Sequence, residues 1–486
     1  MKQWDKLVIV AGIIAGFSSV QAQQDYQKWL QSQQSEFENF KDAHDKEFLE
    51  FLKKNWADFQ VSKGIIPDST PKPNSIPKAE PRAVEETAPS NQTIVKPQPI
   101  PESPEQPQIE LRPSPVKIKN AKKSDFQFFG NSLSVEYDTQ MQIPVNTPVS
   151  ADKINDFWSA VAQSDYEPLY EQFQRLHQDL GLNDWGYAQL IYNAGQSIEN
   201  GDKNAAQLLA WFMLLKSGYK VKVGFDDNQV YLMFPSKNDV YDVSYLPLGN
   251  EKYYVIPLDG QRVKLAAVTT YEGDYPEADQ DVNFQLGAPP RFQEHAITKT
   301  VKFKYVGEEH VLTYRINQNA VDFLNTYPQT DLMIYPAAGL TSDVASDLLK
   351  QLQQIVDGEP ETRAVNILLR FVQTGFEYQT DDEQFGHENY LFPEESLYYP
   401  ASDCEDRSAL FAYLVNSLLG LDVVLLDYPG HIATAVKFSS DVNGDSIEYD
   451  GDKYIICDPT YIYAEYGMTM PSVKDQEYKV IPIPKG

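Results

Sequence analysis

The sequence has little histidine, little cysteine and too few basic residues to balance its acidic ones. The 41 lysines and arginines stand against 70 aspartates and glutamates, so the formal net charge of the 486-residue chain is −29. A chain this acidic repels nucleic acid and anionic membrane surfaces, and we predict that it binds neither. His44, His177, His295 and His310 lack metal-ligand spacing, so we predict no metal and no cofactor.

Long apolar runs are also missing, because no stretch is apolar over the 18 residues that a membrane-spanning helix needs. Residues 7–17 form a shorter apolar run that follows Lys2 and Lys6 and precedes the small residues of "SSVQA". This pattern predicts a cleaved secretory signal peptide over residues 1–22, with a non-cleaved anchor as the alternative. We therefore expect a secreted or periplasmic protein with no transmembrane segment after cleavage.

Two segments of unusual composition follow the predicted signal. Residues 23–62 place large apolar side chains such as Trp29, Phe37 and Phe48 at helical spacing, which predicts an amphipathic helix. Its aromatic face would dock on the chain's own domain, pair with a second copy, or bind a partner in the cell envelope. Residues 63–120 are rich in proline, with 13 prolines between positions 66 and 118, and predict a semi-rigid, largely disordered linker.

The remainder of the chain contains three ungapped internal matches, and they occur in the same order. The paired segments are "DFWSAVAQSD" (156–165) with "DFLNTYPQTD" (322–331), "LLAWFMLLKSGYKVKVGF" (208–225) with "LFAYLVNSLLGLDVVLLD" (410–427), and "KYYVI" (252–256) with "KYIIC" (453–457). They predict a duplicated unit, over 126–265 and 341–486, with a β-rich connecting region at 266–340. The alternative is that a helix, a glycine and a strand form a generic pattern.

Cys404 lies where a polar turn becomes an apolar, helix-like run that ends at Gly420. Ser402 and Glu405 have the spacing of a capping box, which puts Cys404 in the first helical turn. The helix dipole favours a thiolate there, whereas Glu405 and Asp406 oppose it, so a histidine partner is needed. Cys404 is therefore a nucleophile, a packing thiol, or half of a disulfide with Cys457.

A histidine and an aspartate follow Cys404 at positions suited to a catalytic triad. His431 begins a predicted strand after a Pro-Gly turn, and Asp458 ends another. Because neighbouring residues on a strand face opposite ways, Cys457 points away from His431 if Asp458 faces it, which disfavours the disulfide. The imidazole would accept the thiol proton and the carboxylate would hold its tautomer.

The stretch "DCEDRSALFAYLV", the strand "GHIATAV" and the end of "YIICDPTY" resemble the transglutaminase-like superfamily. The resemblance implies an α+β fold with a papain-like core, in which a nucleophile helix packs on an antiparallel sheet. It implies that Cys404 is the nucleophile, His431 the general base and Asp458 the orienting acid. Tyr398 and Tyr399 are weak candidates for the oxyanion donor. The implied activity is acyl transfer at amide bonds of a protein or peptide substrate, by hydrolysis or cross-linking.

The first unit departs from this pattern, since it carries Asp202, Gln229 and Pro257 at or near the three triad positions. We expect it to keep the scaffold without the chemistry, and to bind substrate or support the second unit. The alternative function for the whole chain is a non-catalytic binding or assembly protein of the cell envelope on the same scaffold.

Overall fold

The computed structural model describes residues 43–65, 77–80, 93–100, 118–260, 263, 265–287 and 289–484. The predicted signal peptide over 1–22 lies outside the described residues. No helix in these described ranges is long and apolar enough to cross a membrane. The chain is an α+β protein whose larger sheets are antiparallel.

The first half of the described chain begins with a helix over residues 43–55 (α1) and continues as a hairpin, a run of helices and a sheet. The helices after the hairpin are α2 Ala151–Ala162, α3 Glu167–Leu180, α4 Asp184–Ile198 and α5 Lys203–Lys216. The strands are β1 Trp56–Gln60, the hairpin β2 Ala121–Phe128 and β3 Asn131–Asp138, and then β4 Lys222–Phe225, β5 Val230–Pro235, β6 Tyr245–Leu248, β7 Glu251–Val255 and β8 Ala267–Tyr271. Helix α4 packs on β2, and α5 packs on β4 and β5.

The second half repeats this plan with a longer helical region. It begins with the hairpin β9 Ala296–Tyr305 and β10 Glu308–Asn317. The helices are α6 Gln318–Leu324, α7 Ile334–Ala337, α8 Ser342–Val344, which runs through a π-turn into α9 Lys350–Val356, then α10 Glu361–Gly375, α11 Asp381–Gln384, α12 Pro393–Tyr398 and α13 Cys404–Leu419. The strands are β11 Glu377–Tyr378, β12 Ala401–Ser402, β13 Val423–Tyr428, β14 His431–Val436, β15 Ser446–Tyr449, β16 Asp452–Cys457 and β17 Lys479–Pro482. Helix α10 packs on β9, and α13 packs on β13 and β14.

The sheets of the two halves have the same strand order. The first runs β1-β8-β4-β5-β7-β6 and the second runs β17-β13-β14-β16-β15, so the orders correspond once the edge strand β1 is set aside. The registers also correspond at the offsets of the sequence matches: the matching cross-strand pairs are Val223–Leu232 with Leu425–Thr434, and Met233–Val255 with Ala435–Ile456. The second and third matched segments thus lie on equivalent elements of the two halves.

The boundaries of the halves differ from those expected from sequence. The hairpin of the first half begins at Ala121, before the expected start at 126, and β8 lies beyond the expected end at 265. The hairpin of the second half lies inside 266–340, where a connecting region was expected. Strand β9 buries side chains only near its C-terminal end, at alternate positions, and these side chains cover α10. Its packing places it with the second half.

The aromatic helix ends before the predicted span of 23–62 does. It stops at residue 55, and Trp56–Gln60 pairs with β8 as an edge strand. Phe48 and Leu52 are 3% and 0% exposed in the chain's own core, and the Trp56 indole donates to Asn155 at 3.1 Å. Burial on the first half therefore accounts for this part of the aromatic face, and Trp29 and Phe37 lie outside the described residues.

Two described pieces of the proline-rich linker, 77–80 and 93–100, pack on the second half, which corrects the expectation of a free spacer for those pieces. The Ala79 N–H donates to the Ile462 carbonyl at 2.8 Å, and the Val95 N–H donates to the Glu359 carbonyl at 2.9 Å. Both Ala79 and Val95 are 5% exposed. Proline has no N–H to donate, so the few other residues of the segment provide its backbone hydrogen bonds to the domain.

A buried ion pair joins α1 to α5, and we expect it to contribute strongly to stability. Lys216 donates to the Asp45 carboxylate, which also accepts from the Tyr275 hydroxyl at 2.9 Å, and both charged side chains are 4% exposed. Asp45→Ala leaves the lysine charge buried and should lower the free energy of unfolding by about 3–5 kcal/mol. Urea denaturation measures this loss.

The matched control is the ion pair of Lys203 with Asp259, at 2.8 Å, in which the lysine is 54% exposed. Lys203→Ala should cost less than about 1 kcal/mol, because solvent screens an exposed pair. Equal losses in the two variants would contradict the assignment.

Candidate active site

Helix α13 begins at Cys404, and its cap differs from the one predicted. The N-cap is Asp403, whose N–H donates to the Asp406 carboxylate at 3.3 Å, so the capping box is formed by these two residues. Ser402, expected as the cap, lies in β12, which pairs with β11. Since the serine backbone is committed to a strand, the helix begins one residue later, with Cys404 at its first position.

His431 and Asp458 form a buried pair at the expected positions. The imidazole Nε2 lies 2.8 Å from Asp458 Oδ2, and the two residues are 3% and 1% exposed. The other carboxylate oxygen accepts the N–H groups of Thr460 and Tyr461, at 2.9 and 3.0 Å. These bonds fix the carboxylate, so Nε2 carries the proton it donates and Nδ1 is left as the basic nitrogen.

The Nδ1 atom of His431 is buried and has no hydrogen-bond partner among the described residues. Burial disfavours the imidazolium, but the charge of Asp458, its hydrogen bond and the charge of Glu405 prevail, so the pKa of His431 is raised. A buried basic nitrogen with no partner is available to accept a proton from a group beside it.

Cys404 lies beside the strand that carries His431. The Ser408 hydroxyl of α13 donates to the Ile432 carbonyl at 3.1 Å, which fastens the helix to β14. The backbone N–H of Ile432 lies close enough to the Cys404 thiol to lower its pKa. The helix and strand therefore bring the cysteine next to the backbone of the residue that follows the histidine.

The thiol of Cys404 is held in its protonated form. The residue is 2% exposed, and its Sγ donates to Glu405 Oε2 at 2.9 Å. Burial raises the pKa of Cys404 well above its usual value, and the charges of Glu405 and Asp403 raise it further, while the Ile432 N–H lowers it. The helix dipole, expected to favour a thiolate, is outweighed.

Both cysteines are free, so the disulfide alternative is wrong. Cys457 is 0% exposed and pairs with Thr434 across the sheet, with its side chain in the core. Burial raises its pKa, and so does the charge of Asp458. The alternation of side chains along β16 accounts for this, since Asp458 faces His431 and the residue before it faces the other way.

The structure pairs His431 with Asp458 and packs the helix of Cys404 on the strand of His431, but it gives the two tyrosines other partners. The Tyr399 hydroxyl donates to Asn325 at 2.8 Å, and the Tyr398 ring lies under the Lys299 ammonium, 4.6 Å from the ring centroid. No described contact joins either ring to Cys404. Their own partners thus remove support for an oxyanion role.

Comparison with known proteins finds no relative. The chain matches no family model, no curated protein and no solved structure.

Several carboxylates surround the start of α13. Asp381 and Asp406 are each 1% exposed, and with Asp403 they place three carboxylate oxygens within 4.8 Å of one another, close enough to hold a cation. Asp381 accepts the Asn389 N–H at 2.7 Å, and Asp406 accepts the Leu391 N–H at 2.8 Å. The hydrogen bonds assign these two carboxylates to holding the 389–391 backbone against the helix.

The doublet Glu394-Glu395 is buried as well, at 1% and 2% exposed, and not solvated. Glu394 accepts from the N–H and hydroxyl of Thr341, and Glu395 accepts from the Phe392 N–H. Burial raises their pKa values to about 7 and about 8. Both carboxyls therefore serve the local fold.

Two residues that position the site were missed in the sequence. Gln373 of α10 is 1% exposed, and its amide donates to the carbonyls of Asp458, Tyr461 and Ala464 at 2.9–3.1 Å. Arg407 is 1% exposed and donates to the carbonyls of Gln373 and Phe376. The partners lie 31 to 91 positions away along the chain, so no local pattern signals these contacts.

We expect Asp458→Asn to lower the pKa of His431, because the asparagine keeps a polar partner but removes the charge that favours the imidazolium. The measurement is an NMR titration of the histidine ring protons, with the signal assigned by its loss in His431→Gln. Asp445→Asn, which removes a carboxylate bonded to Lys474 elsewhere on the domain, is the control and should leave the titration unchanged. An unaltered His431 pKa in Asp458→Asn would contradict the pairing.

Proposed function

We propose that the chain is an exported, transglutaminase-like cysteine enzyme that acts on amide bonds of a protein or peptide. The observation that carries the proposal is the buried His431, whose Nε2 is held by Asp458 while its Nδ1 is unpartnered, on the strand that touches Cys404. A nucleophile, a base and a group that orients the base are the parts that covalent catalysis by a thiol requires.

The chemistry follows from which atoms are available. As the Cys404 sulfur bonds to the carbonyl carbon, the thiol proton passes to Nδ1 of His431 and the carbonyl electron pair moves to oxygen. Collapse of this intermediate breaks the C–N bond, and the imidazolium gives its proton to the leaving amine. Water then attacks the thioester to release the acid, or an amine attacks to form a new amide; Asp458 holds the imidazolium through both steps.

The first half supports the proposal by contrast. Its hairpin β4–β5 places Gln229 where the second half has His431, in the same register and after a turn of the same length. Pro257 follows β7 where Asp458 follows β16. We infer that the halves arose by duplication of a papain-like unit, and that the first half kept the scaffold without the triad.

One observation favours the alternative, a non-catalytic binding or assembly protein. All three triad residues are at most 3% exposed, and the thiol bonds to Glu405 instead of His431. A substrate reaches Cys404 only after the residues covering it move. If they never move, the triad packs the core of a binding domain.

Trapping of an acyl-enzyme distinguishes the two functions. The full chain is incubated with peptide thioesters and glutamine-containing peptides, and the covalent adduct is located by mass spectrometry. We expect the adduct on Cys404, and Cys404→Ala should reduce turnover by at least about a thousandfold.

Cys457→Ala is the matched control, since it removes the other buried thiol and leaves the triad intact. It should keep the adduct and the turnover. No adduct with any peptide would count for the binding protein, and full turnover by Cys404→Ala would reject Cys404 as the nucleophile.

A further inference from the structure

The residue after the candidate nucleophile makes a contact that the proposed chemistry does not use. Glu405 Oε2 accepts the Cys404 thiol proton at 2.9 Å, and the glutamate itself is 3% exposed. In a buried site, a hydrogen bond to an ionised acceptor is about twice as strong as one to a neutral acceptor. The thiol is therefore committed to the glutamate while the basic nitrogen of His431 has no partner.

We propose that Glu405 is a positioning residue that holds Cys404 as a resting thiol, so that attack requires the thiol to leave the glutamate for Nδ1 of His431. The inference rests on the proposed function, because it takes Cys404 as the nucleophile. It predicts that removing the charge beside the nucleophile increases its reactivity. A glutamate that served as the general base would have the opposite effect.

Other titratable groups surround Cys404 and Glu405, and they set the background against which Glu405 acts. They are Asp403, Asp406 and Arg407 on the helix, His431 and Asp458 on the sheet, and Asp381, Glu388 and Tyr390 from the segment before the helix. Most of them remain in every variant below. Among these side chains, as the structure describes them, only Glu405 accepts a hydrogen bond from the thiol.

The charge of Glu405 acts in the same direction on Cys404 and on His431. Glu405 raises the pKa of His431, after the larger effects of burial and Asp458, and it raises that of Cys404 as well. A carboxylate that favours both protonated forms disfavours both the thiolate and the free imidazole, which is the chemistry of a resting state.

The test is the pH dependence of the thiolate absorbance of the full chain, taken as the difference between each variant and its Cys404→Ala partner. Because the readout needs no reagent to enter the site, it is independent of how the site opens. Glu405→Gln keeps the size of the side chain and an acceptor oxygen but removes the charge. We expect the thiolate to form at lower pH, with about a tenfold or greater gain in thiolate at a pH below both midpoints.

Glu388→Gln is the matched control. Its carboxylate lies with those of Asp381 and Glu405 within 4.8 Å, is half-buried, and has no described contact with the thiol. We expect the amount of thiolate to change by less than about threefold in Glu388→Gln. Its charge has no direct hydrogen bond to the thiol and is partly screened by solvent, so it acts on the thiol weakly. An equal shift in Glu388→Gln and Glu405→Gln would overturn the proposal in favour of general electrostatics.

Glu405→Asp keeps the charge and withdraws it by one methylene, so it provides a second variant if Glu405→Gln does not fold. It should shift the midpoint less than Glu405→Gln and also raise the rate of alkylation by iodoacetamide at fixed pH. An unchanged or higher midpoint in both Glu405 variants would overturn the proposal.

The result of the thiolate titration can be distinguished from the result of the acyl-enzyme experiment that tests the proposed function. A lowered midpoint without any acyl-enzyme would leave the role of Glu405 intact and reject the amide chemistry. Acyl-enzyme formation that is lost in Glu405→Gln would support the chemistry and make the glutamate a base, against the inference.

Discussion

A helix laid across an antiparallel sheet is the arrangement on which the rest of this structure depends, and it occurs twice. In each half a buried helix, α5 or α13, ends at a left-handed glycine and leads into the central hairpin of the sheet. The Ser408 bond to Ile432 fixes α13 against that hairpin. Because strand side chains alternate in direction, this packing decides which residues of β14 and β16 face the helix tip. The positions of Cys404, His431 and Asp458 follow from it.

The local charge around the helix tip is the second constraint. The first turn of α13 is surrounded by buried carboxylates. The nearby guanidinium of Arg407 donates its hydrogen bonds to backbone carbonyls and to the Ser402 hydroxyl. A helix N-terminus favours an anion, so it tolerates some of this charge. It cannot also favour a thiolate when Glu405 is ionised beside it. The carboxylates around this helix tip therefore hold the backbone of 389–391 and keep the Cys404 thiol protonated.

Sequence reasoning was strongest where the physics is local. Period-two alternation, a helix ended by Gly420 and the order of the matched segments placed the helix, the strands and the positions of Cys404, His431 and Asp458. Sequence reasoning failed for contacts between residues that are far apart along the chain. The Asp403 cap depends on Ser402 joining a strand that pairs with β11, and Gln373 meets Asp458 only in the fold. Burial of Asp381 and Glu394 was likewise missed, because charge in a sequence indicates solvent unless tertiary contacts supply hydrogen bonds.

In the first half, the position that matches Cys404 has a structural role. Asp202, which aligns with Cys404, caps α5 by accepting the Ala205 N–H and also accepts the Val145 N–H at 2.7 Å. A thiol at that position would lose both bonds, and a carboxylate at the position of Cys404 would add charge to a site already rich in it. The matched position therefore stabilises a helix end in the first half, whereas in the second half it carries a thiol on the helix that packs against the strand of His431. The two halves share this backbone arrangement and differ in the side chains at the helix tip.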